Sequence, residues 1–299
     1  MPERPEGRVA DGPLLEAARA AATAAAEVHA EGRGRIDPSR WSEKGRADFV
    51  TEVDVEAERR IVAVLRDRFP DHAVLAEEAS SDGGPEGVGP GGEGPGGTSP
   101  DAAASPTPVR WIVDPLDGTT NWLHGYPEYA VSLAAADAEG LRVGVVLNSA
   151  TGERFEAVRD GGATLDGAPI RVSNQADLEL ALVGTGFPFK KIETLRAYLA
   201  VFERVLRATS GIRRGGSAAL DLCDLAAGRL DAFFEYWLMP WDVAAGALIV
   251  REAGGVFEPL EVPGLPEAAA DGGHGGLRPG GFLGANAALA DTFRRLVSG

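Results

Sequence analysis

A mixed fold of sheets and helices, α+β or α/β, is predicted by three observations on the 299-residue chain. Short apolar runs of strand length alternate with stretches of helical periodicity, and two of the runs are joined by a turn of hairpin length. The third observation is that 44% of the residues are apolar, enough to bury the core of one large or two ordinary domains. No internal repeat is visible.

Residues 1–12 are polar, with Pro and Gly, and are expected to form a loose tail. Pro13 then opens an Ala-rich helix over 14–31 that ends before Gly32, since proline suits a first helical turn and glycine a helix exit. A second helix is expected over 55–69, where Ile61, Val62, Leu65 and Phe69 fall on one stripe. Strands are expected at 74–76, 109–113, 129–135, 141–147 and 154–158. The runs 130–133 and 143–147 read as an antiparallel hairpin joined through Asp137 to Gly140. Further helices are expected at 194–208, 217–228 and 243–253, and a last strand at 281–285. Residues 80–108 hold nine Gly and six Pro without an aromatic residue, Leu or Ile, so nothing there offsets the entropy of ordering, and a disordered surface insertion is expected. Residues 258–281, with seven Gly and four Pro, read as a long loop.

The charge balance is 29 Lys+Arg against 45 Asp+Glu, a formal −16. Such a surface repels nucleic acid phosphate, so no nucleic-acid partner is expected, and an anionic ligand would need a cation to mediate. One cysteine, Cys223, cannot form an internal disulfide, and with four scattered histidines (His29, His72, His124, His274) it cannot make a structural zinc site. No run approaches the roughly 18 apolar residues of a membrane helix, so no membrane partner is expected. The N-terminus also lacks a basic segment followed by an apolar one, which points to an unexported, cytoplasmic protein.

The acids are most informative in Trp111-Ile-Val-Asp114-Pro-Leu-Asp117-Gly-Thr119-Thr120-Asn121-Trp122. An apolar strand delivers Asp114 at its end, and Pro115 and Gly118 turn the chain so that Asp114 and Asp117 can converge. Converging oxygen ligands suit a hard cation such as Mg²⁺. The following Gly-Thr-Thr-Asn offers backbone N–H groups and hydroxyls, as a helix N-terminus does, which favours phosphate. The competing reading is a turn in which both carboxylates cap N–H groups. Three other acidic sites carry the same ambiguity. Thr51 and Asp54, in Asp48-Phe-Val-Thr51-Glu-Val-Asp54, also fit a capping-box variant. Glu77-Glu78 follows a short strand and also fits a solvated turn, and Asp242, before an apolar helix, also fits an N-cap. Cys223 reads as a small buried side chain in the helix after Ser217.

Taken together and in order, these motifs resemble the inositol monophosphatase family of Mg²⁺-dependent sugar phosphatases. The likeness continues in Thr185-Gly-Phe-Pro-Phe189, in Arg213-Arg-Gly-Gly-Ser217-Ala-Ala-Leu-Asp221, in Gly228-Arg-Leu-Asp-Ala-Phe-Phe-Glu235 and in Arg251-Glu-Ala-Gly-Gly255, all similar to bacterial members. It spans the chain from about Leu14, apart from 80–108.

The resemblance implies an α+β fold, a layered αβαβα sandwich. Residues 13–173 would form a metal- and phosphate-binding half, and 174–299 a smaller half completing the substrate site. It implies one Mg²⁺ on Glu77, Asp114 and the Leu116 carbonyl, and a second on Asp114, Asp117 and Asp242. A third, weaker ion is expected near Glu77. Thr119 with Asp54 behind it, and Glu77, would orient and deprotonate the attacking water, while the N–H groups of Gly118 and Thr119 take the phosphate. Gly216, Ser217, Ala218, Glu235 and Asp242 would contact the alcohol half. Lys44 loosely matches the family's mobile basic loop, against a plain solvated lysine. Ala76 departs from the family's usual Gly before the two glutamates, which puts the placement of the ligand loop in question. The expected activity is hydrolysis of inositol 1-phosphate by a homodimer, with fructose 1,6-bisphosphate, or both substrates, as the alternative. Thr120 and Asn121 stand where members acting on 3′-phosphoadenosine 5′-phosphate or histidinol phosphate carry Lys after Asp-Gly-Thr. A catalytically silent binding or regulatory protein on the same fold is the alternative from another class.

Overall fold

The computed structural model describes residues 11–33, 42–45, 48–78, 109–261 and 275–299, excluding the side chains of 42–45 and 48–50. The expected tail up to residue 10, the Lys44 side chain, the insertion 80–108 and most of the loop expected after residue 260 lie outside the described residues. The elements run α1 (Asp11–Gly32), β1 (Ser42–Gly45), β2 (Asp48–Val50), α2 (Glu52–Arg68), β3 (Ala73–Ala76), β4 (Arg110–Asp117), α3 (Thr119–His124), β5 (Ala130–Asp137), β6 (Gly140–Asn148), β7 (Arg154–Val158), β8 (Gly162–Leu165) and β9 (Ala168–Pro169). They continue with β10 (Leu182–Thr185), α4 (Leu195–Ala208), β11 (Gly211–Arg213), α5 (Ala218–Ala226), β12 (Ala232–Leu238), α6 (Pro240–Glu252), β13 (Val256–Leu260), β14 (Gly280–Ala285) and α7 (Ala290–Ser298).

Strands β3 to β9 form a seven-stranded sheet in sequence order, parallel only between β3 and β4. Its central strands are apolar on both faces. Because successive side chains point to opposite sides, Val131, Leu133 and Ala135 of β5 pack with the apolar stripes of α1 and α2, while Ala130 and Ala134 pack with α5 and α6. The expected hairpin is present, with Asp137 opposite Gly140. The second sheet, in order β11-β10-β12-β14-β13, covers the other side of α5 and α6. Its far face, with Val183, Phe234 and Leu283, packs on Tyr198, Val201 and Val205 of α4 and on Phe293 and Val297 of α7. The five layers are therefore α, β, α, β, α.

The middle layer explains the composition of α6. Lying between two sheets, it buries Val243 through Val250 without interruption, as a helix with no solvent face must. Gly144 of β6 lets it approach closely, since a Cβ there would stand 2.9 Å from the Ala245 carbonyl oxygen. The outer helix α1 shows the opposite pattern, a stripe of Leu14, Ala17, Ala18, Ala21, Ala25 and Val28 whose small side chains give a thin contact with the sheet and α2.

Several boundaries differ from those expected. Helix α1 starts at Asp11, ahead of Pro13, because the first N–H groups of a helix have no intrahelical partner and a proline there costs nothing. The buried stripe of α2 is Asp54, Ala57, Ile61 and Leu65, with Val62 and Phe69 only half-buried. Strand β4 does not stop at Asp114 but runs to Asp117, with a register shift between the two where Pro115 offers no N–H to the ladder. Helix α6 starts at Pro240, which places Asp242 inside the first turn and not at the cap. Strands β1, β2 and β8 to β13 and helices α3 and α7 were not expected. Strand β13 takes the start of what read as a loop.

Candidate active site

Of the segments that meet at a cavity of about 360 Å³, four deliver the acids expected there. Strand β4 brings Asp114, on the same side as Ile112 and hence toward the middle layer. Asp117 and Gly118 follow, and Gly118 takes φ 91°, a left-handed conformation that turns the chain into α3. The end of β3 brings Glu77, the first turn of α6 brings Asp242, and β12 brings Glu235.

The short-range geometry fixes several of these groups. Asp114 is 1% exposed, and its Oδ1 accepts from the Leu116 N–H at 3.0 Å. Asp117 Oδ2 accepts from Ser217 Oγ at 2.6 Å and from the Ala219 N–H at 2.8 Å, tying the first sheet to α5. Asp242 Oδ2 accepts from the Met239 N–H at 2.7 Å, half of a capping box around Pro240. Glu78 is buried, with its N–H donating to Glu58 Oε2 at 2.8 Å, so this part of the pair is no solvated turn.

The capping-box reading of Thr51 and Asp54 holds, and Asp54 also reaches Thr119. Thr51 caps α2, and Asp54 accepts from the Thr51 N–H at 2.9 Å, a complete capping box. The other oxygen, Oδ1, accepts from Thr119 Oγ1 at 2.9 Å, so the cap is also the support of Thr119. Burial, aided by the charge of Glu78 and opposed by the Thr51 and Thr119 hydrogen bonds, pushes the Asp54 carboxyl up to about 6.

Glu77, Asp114, Leu116, Asp117, Gly118, Thr119, Gly216, Ala218, Glu235 and Asp242 all line the cavity. Two expected residues stand behind it. Asp54 reaches it through Thr119, and Ser217 is 1% exposed and spends its hydroxyl on Asp117 and on the Leu220 N–H as the cap of α5. The expected roles omitted Phe187, Phe189, Lys190, Lys191, Arg214, Asp221 and Trp237, which also line it. The guanidinium of Arg214 lies over the rings of Phe187 and Phe189, at 5.6 and 5.4 Å from their centroids. The Lys191 ammonium lies 4.5 Å from the Trp237 ring centroid. Trp237 holds φ 64°, rare for a bulky side chain, at the register shift between Glu235 and Leu238. A Lys-Lys pair after Phe189 in so acidic a chain was the available signal.

Among the described residues no three acid, histidine or cysteine side chains stand already gathered as a metal cage. The donor set nonetheless fits a hard divalent cation. Burial and then the charges of Glu77, Asp117 and Asp242 push the Asp114 carboxyl well above the usual carboxylate range. Burial raises Asp117 too, against the hydrogen bonds from Ser217 and Ala219. Oxygen donors that repel one another on one cavity wall are what a cation such as Mg²⁺ relieves.

This electrostatics has a measurable consequence. A carboxyl whose folded pKa lies above its unfolded value of roughly 4 binds more protons in the native state. Folded stability then falls as pH rises from the unfolded value through the folded one. With Asp54 near 6 and Glu235 pushed up by burial to about 8, the window runs from about pH 4 to about 8. Metal-free protein is expected to lose thermal stability from pH 5 to 8, and added Mg²⁺ to restore more at pH 8 than at pH 5, because its ligands must be ionised. A metal-free Tm that rises over this range would contradict the account.

A five-layer αβαβα protein with a carboxylate-lined cavity at the ends of β3 and β4 and the start of α6 defines the class. The model of the inositol monophosphatase family matches residues 11–272, and the chain belongs to that family. It is 45% identical over 247 residues to the Nus factor SuhB of Pseudomonas aeruginosa, covering 82% of this chain and 84% of that one. It is 43% identical over 215 residues to an inositol-1-monophosphatase of Synechocystis sp., covering 72% and 68%. The crystal structure of the extragenic suppressor protein suhB from Bartonella henselae superposes with a TM-score of 0.78 at 34% identity, covering 95% of this chain and 98% of that one.

Proposed function

We propose that this chain is an Mg²⁺-dependent phosphomonoesterase acting on a small polyol phosphate, with inositol 1-phosphate as its preferred substrate. The observation that carries this reading is the convergence of Glu77, Asp114, Asp117 and Asp242 on one cavity with Thr119 and Asp54 beside them. Family membership supports it, as does the relative named as an inositol-1-monophosphatase.

Glu77, Asp114, the Leu116 carbonyl, Asp117 and Asp242 would hold two or three Mg²⁺ ions, whose positive charge neutralises a phosphomonoester dianion and brings the pKa of water toward neutrality. The residues do the rest. Water attacks phosphorus opposite the leaving alkoxide. Thr119 Oγ1 orients it and Asp54, placed behind that hydroxyl, accepts the proton, with Glu77 as the other carboxylate at the cavity. A carboxyl near 6 suits this task better than an ordinary aspartate, since it holds a proton more readily near neutral pH. The Gly118 and Thr119 N–H groups bind phosphate oxygens, and Glu235 and Asp242 accept from the polyol.

Lys190, Lys191 and Arg214 on the cavity wall favour a second substrate, because three cations in so acidic a chain suit a second phosphate such as that of fructose 1,6-bisphosphate. The relatives named Nus factor favour the catalytically silent reading. One assay separates all three: phosphate release from inositol 1-phosphate, fructose 1,6-bisphosphate, 3′-phosphoadenosine 5′-phosphate and histidinol phosphate, with Mg²⁺ and with a chelator. The expected result is chelator-sensitive turnover with the inositol ester leading. Preference for the bisphosphate would reassign the substrate, and no metal-dependent release from any of the four would sink the enzyme reading.

A further inference from the structure

The geometry points to Asp221 as a specificity-determining residue whose carboxyl takes a hydroxyl of the polyol half of the substrate, next to Glu235. This rests on the phosphomonoesterase reading and adds to it a side chain to which the family resemblance gave no role.

Asp221 stands in the first turn of α5, is 4% exposed and lines the cavity. No hydrogen bond from the described residues reaches its carboxyl, and the charges that act on it most strongly are those of the acids Glu235, Glu128, Asp117 and Asp224. The wall is shaped to admit it. A Cβ on Gly215 would stand 2.9 Å from Asp221 Oδ1.

A buried carboxyl without a partner is costly, and native proteins rarely keep one that nothing uses. The helix start does not account for it. The Ala219 N–H is taken by Asp117 and the Leu220 N–H by Ser217 Oγ, while the Asp221 N–H bonds to the Ser217 carbonyl. A hydroxyl from the ligand is the missing partner, because it can donate to the carboxylate or accept from the carboxylic acid. An ammonium group fits less well, since Arg214 and Lys190 face the same space and would repel it. A site that hydrogen-bonds a substrate hydroxyl rejects an ester that lacks one, because its buried polar group is then left unpaired.

The test compares wild type, Asp221→Asn and Asp221→Ala in the presence of Mg²⁺, on inositol 1-phosphate and on p-nitrophenyl phosphate, which has no hydroxyl on its alcohol half. Thermal midpoints are measured without metal. For both variants kcat/KM on the inositol ester is expected to fall about 10-fold to 100-fold, while that on the nitrophenyl ester stays within about twofold. The metal-free Tm of Asp221→Asn is expected to rise by about 2–4 °C, since an ionisable carboxyl buried among other acids has been replaced by a neutral group. An equal fall on both esters, no fall on either, or a lower Tm for Asp221→Asn would overturn the assignment. Wild type that cleaves neither ester overturns the phosphomonoesterase reading itself and this inference with it, and that failure shows before any substitution is made.

Discussion

Replacing Asp114 by Asn is expected to reduce Mg²⁺-dependent phosphate release by about 10²–10³-fold while the protein stays folded. The side chain is 1% exposed, it stands on β4 facing the middle layer, and the charges of Glu77, Asp117 and Asp242 all act on it. Asparagine has the same shape and keeps one oxygen to accept from the Leu116 N–H, so the local fold survives. What goes is the negative charge at the centre of the cluster. Two thermal measurements separate this from general damage. Without metal the variant should melt at a higher temperature than wild type, because one member of a buried like-charge group has been removed. With Mg²⁺ it should gain far less than wild type does. Near-normal turnover, or an unchanged Mg²⁺-induced shift, would remove Asp114 from the metal site.

The second large effect is expected from Gly118→Ala. At φ 91° and ψ 34° the backbone is left-handed, a region an L side chain enters at a cost of about 1–3 kcal/mol. The added Cβ would also stand 2.8 Å from the Glu128 carbonyl oxygen and 3.3 Å from the Tyr129 Cα, both backbone positions leading into β5. Relief requires the turn to shift, and that turn carries Asp117 on one side and Thr119 on the other. The variant should therefore lose several degrees of Tm and most of its turnover together. Retention of full activity at a normal Tm would show that neither the turn nor its N–H groups are needed.

How much of this was legible beforehand depended on the kind of signal. The first sheet was readable because β5, β6 and β7 are apolar runs bounded by turn residues, and Asp137 to Gly140 punctuates the hairpin. Of the second sheet only β14 was, because β10 and β11 are only four and three residues long and the aromatic residues of β12 stand on both sides of Glu235 without a polar-apolar alternation. Such strands are defined by partners distant in sequence, Ala232 with Ala285 for example. At the site, the carboxylates announced themselves through ordered motifs. Arg214 and Asp221 stood in such a motif without a role and Lys190 stood in none, since their place at the cavity follows from how α5 and the segment after β10 fold over it. Asp54 shows why single-residue choices mislead: a helix cap and a partner for Thr119 were posed as rivals, and one carboxylate makes both contacts with its two oxygens.

The contact between Gly144 and Ala245 bears on how such a chain can vary over time. Helix α6 is clasped by both sheets and carries Asp242 at its tip, so its height above β6 sets where that carboxylate falls. A methyl group gained at Gly144 touches no acid and no substrate, yet it would lift the helix and detune the spacing of the whole cluster. Latitude for sequence drift should accordingly be widest on the outward faces of α1, α2, α4 and α7. It should be narrowest at Gly144 and among the small residues of α6 that face it, whose smallness works as a gauge for the position of Asp242.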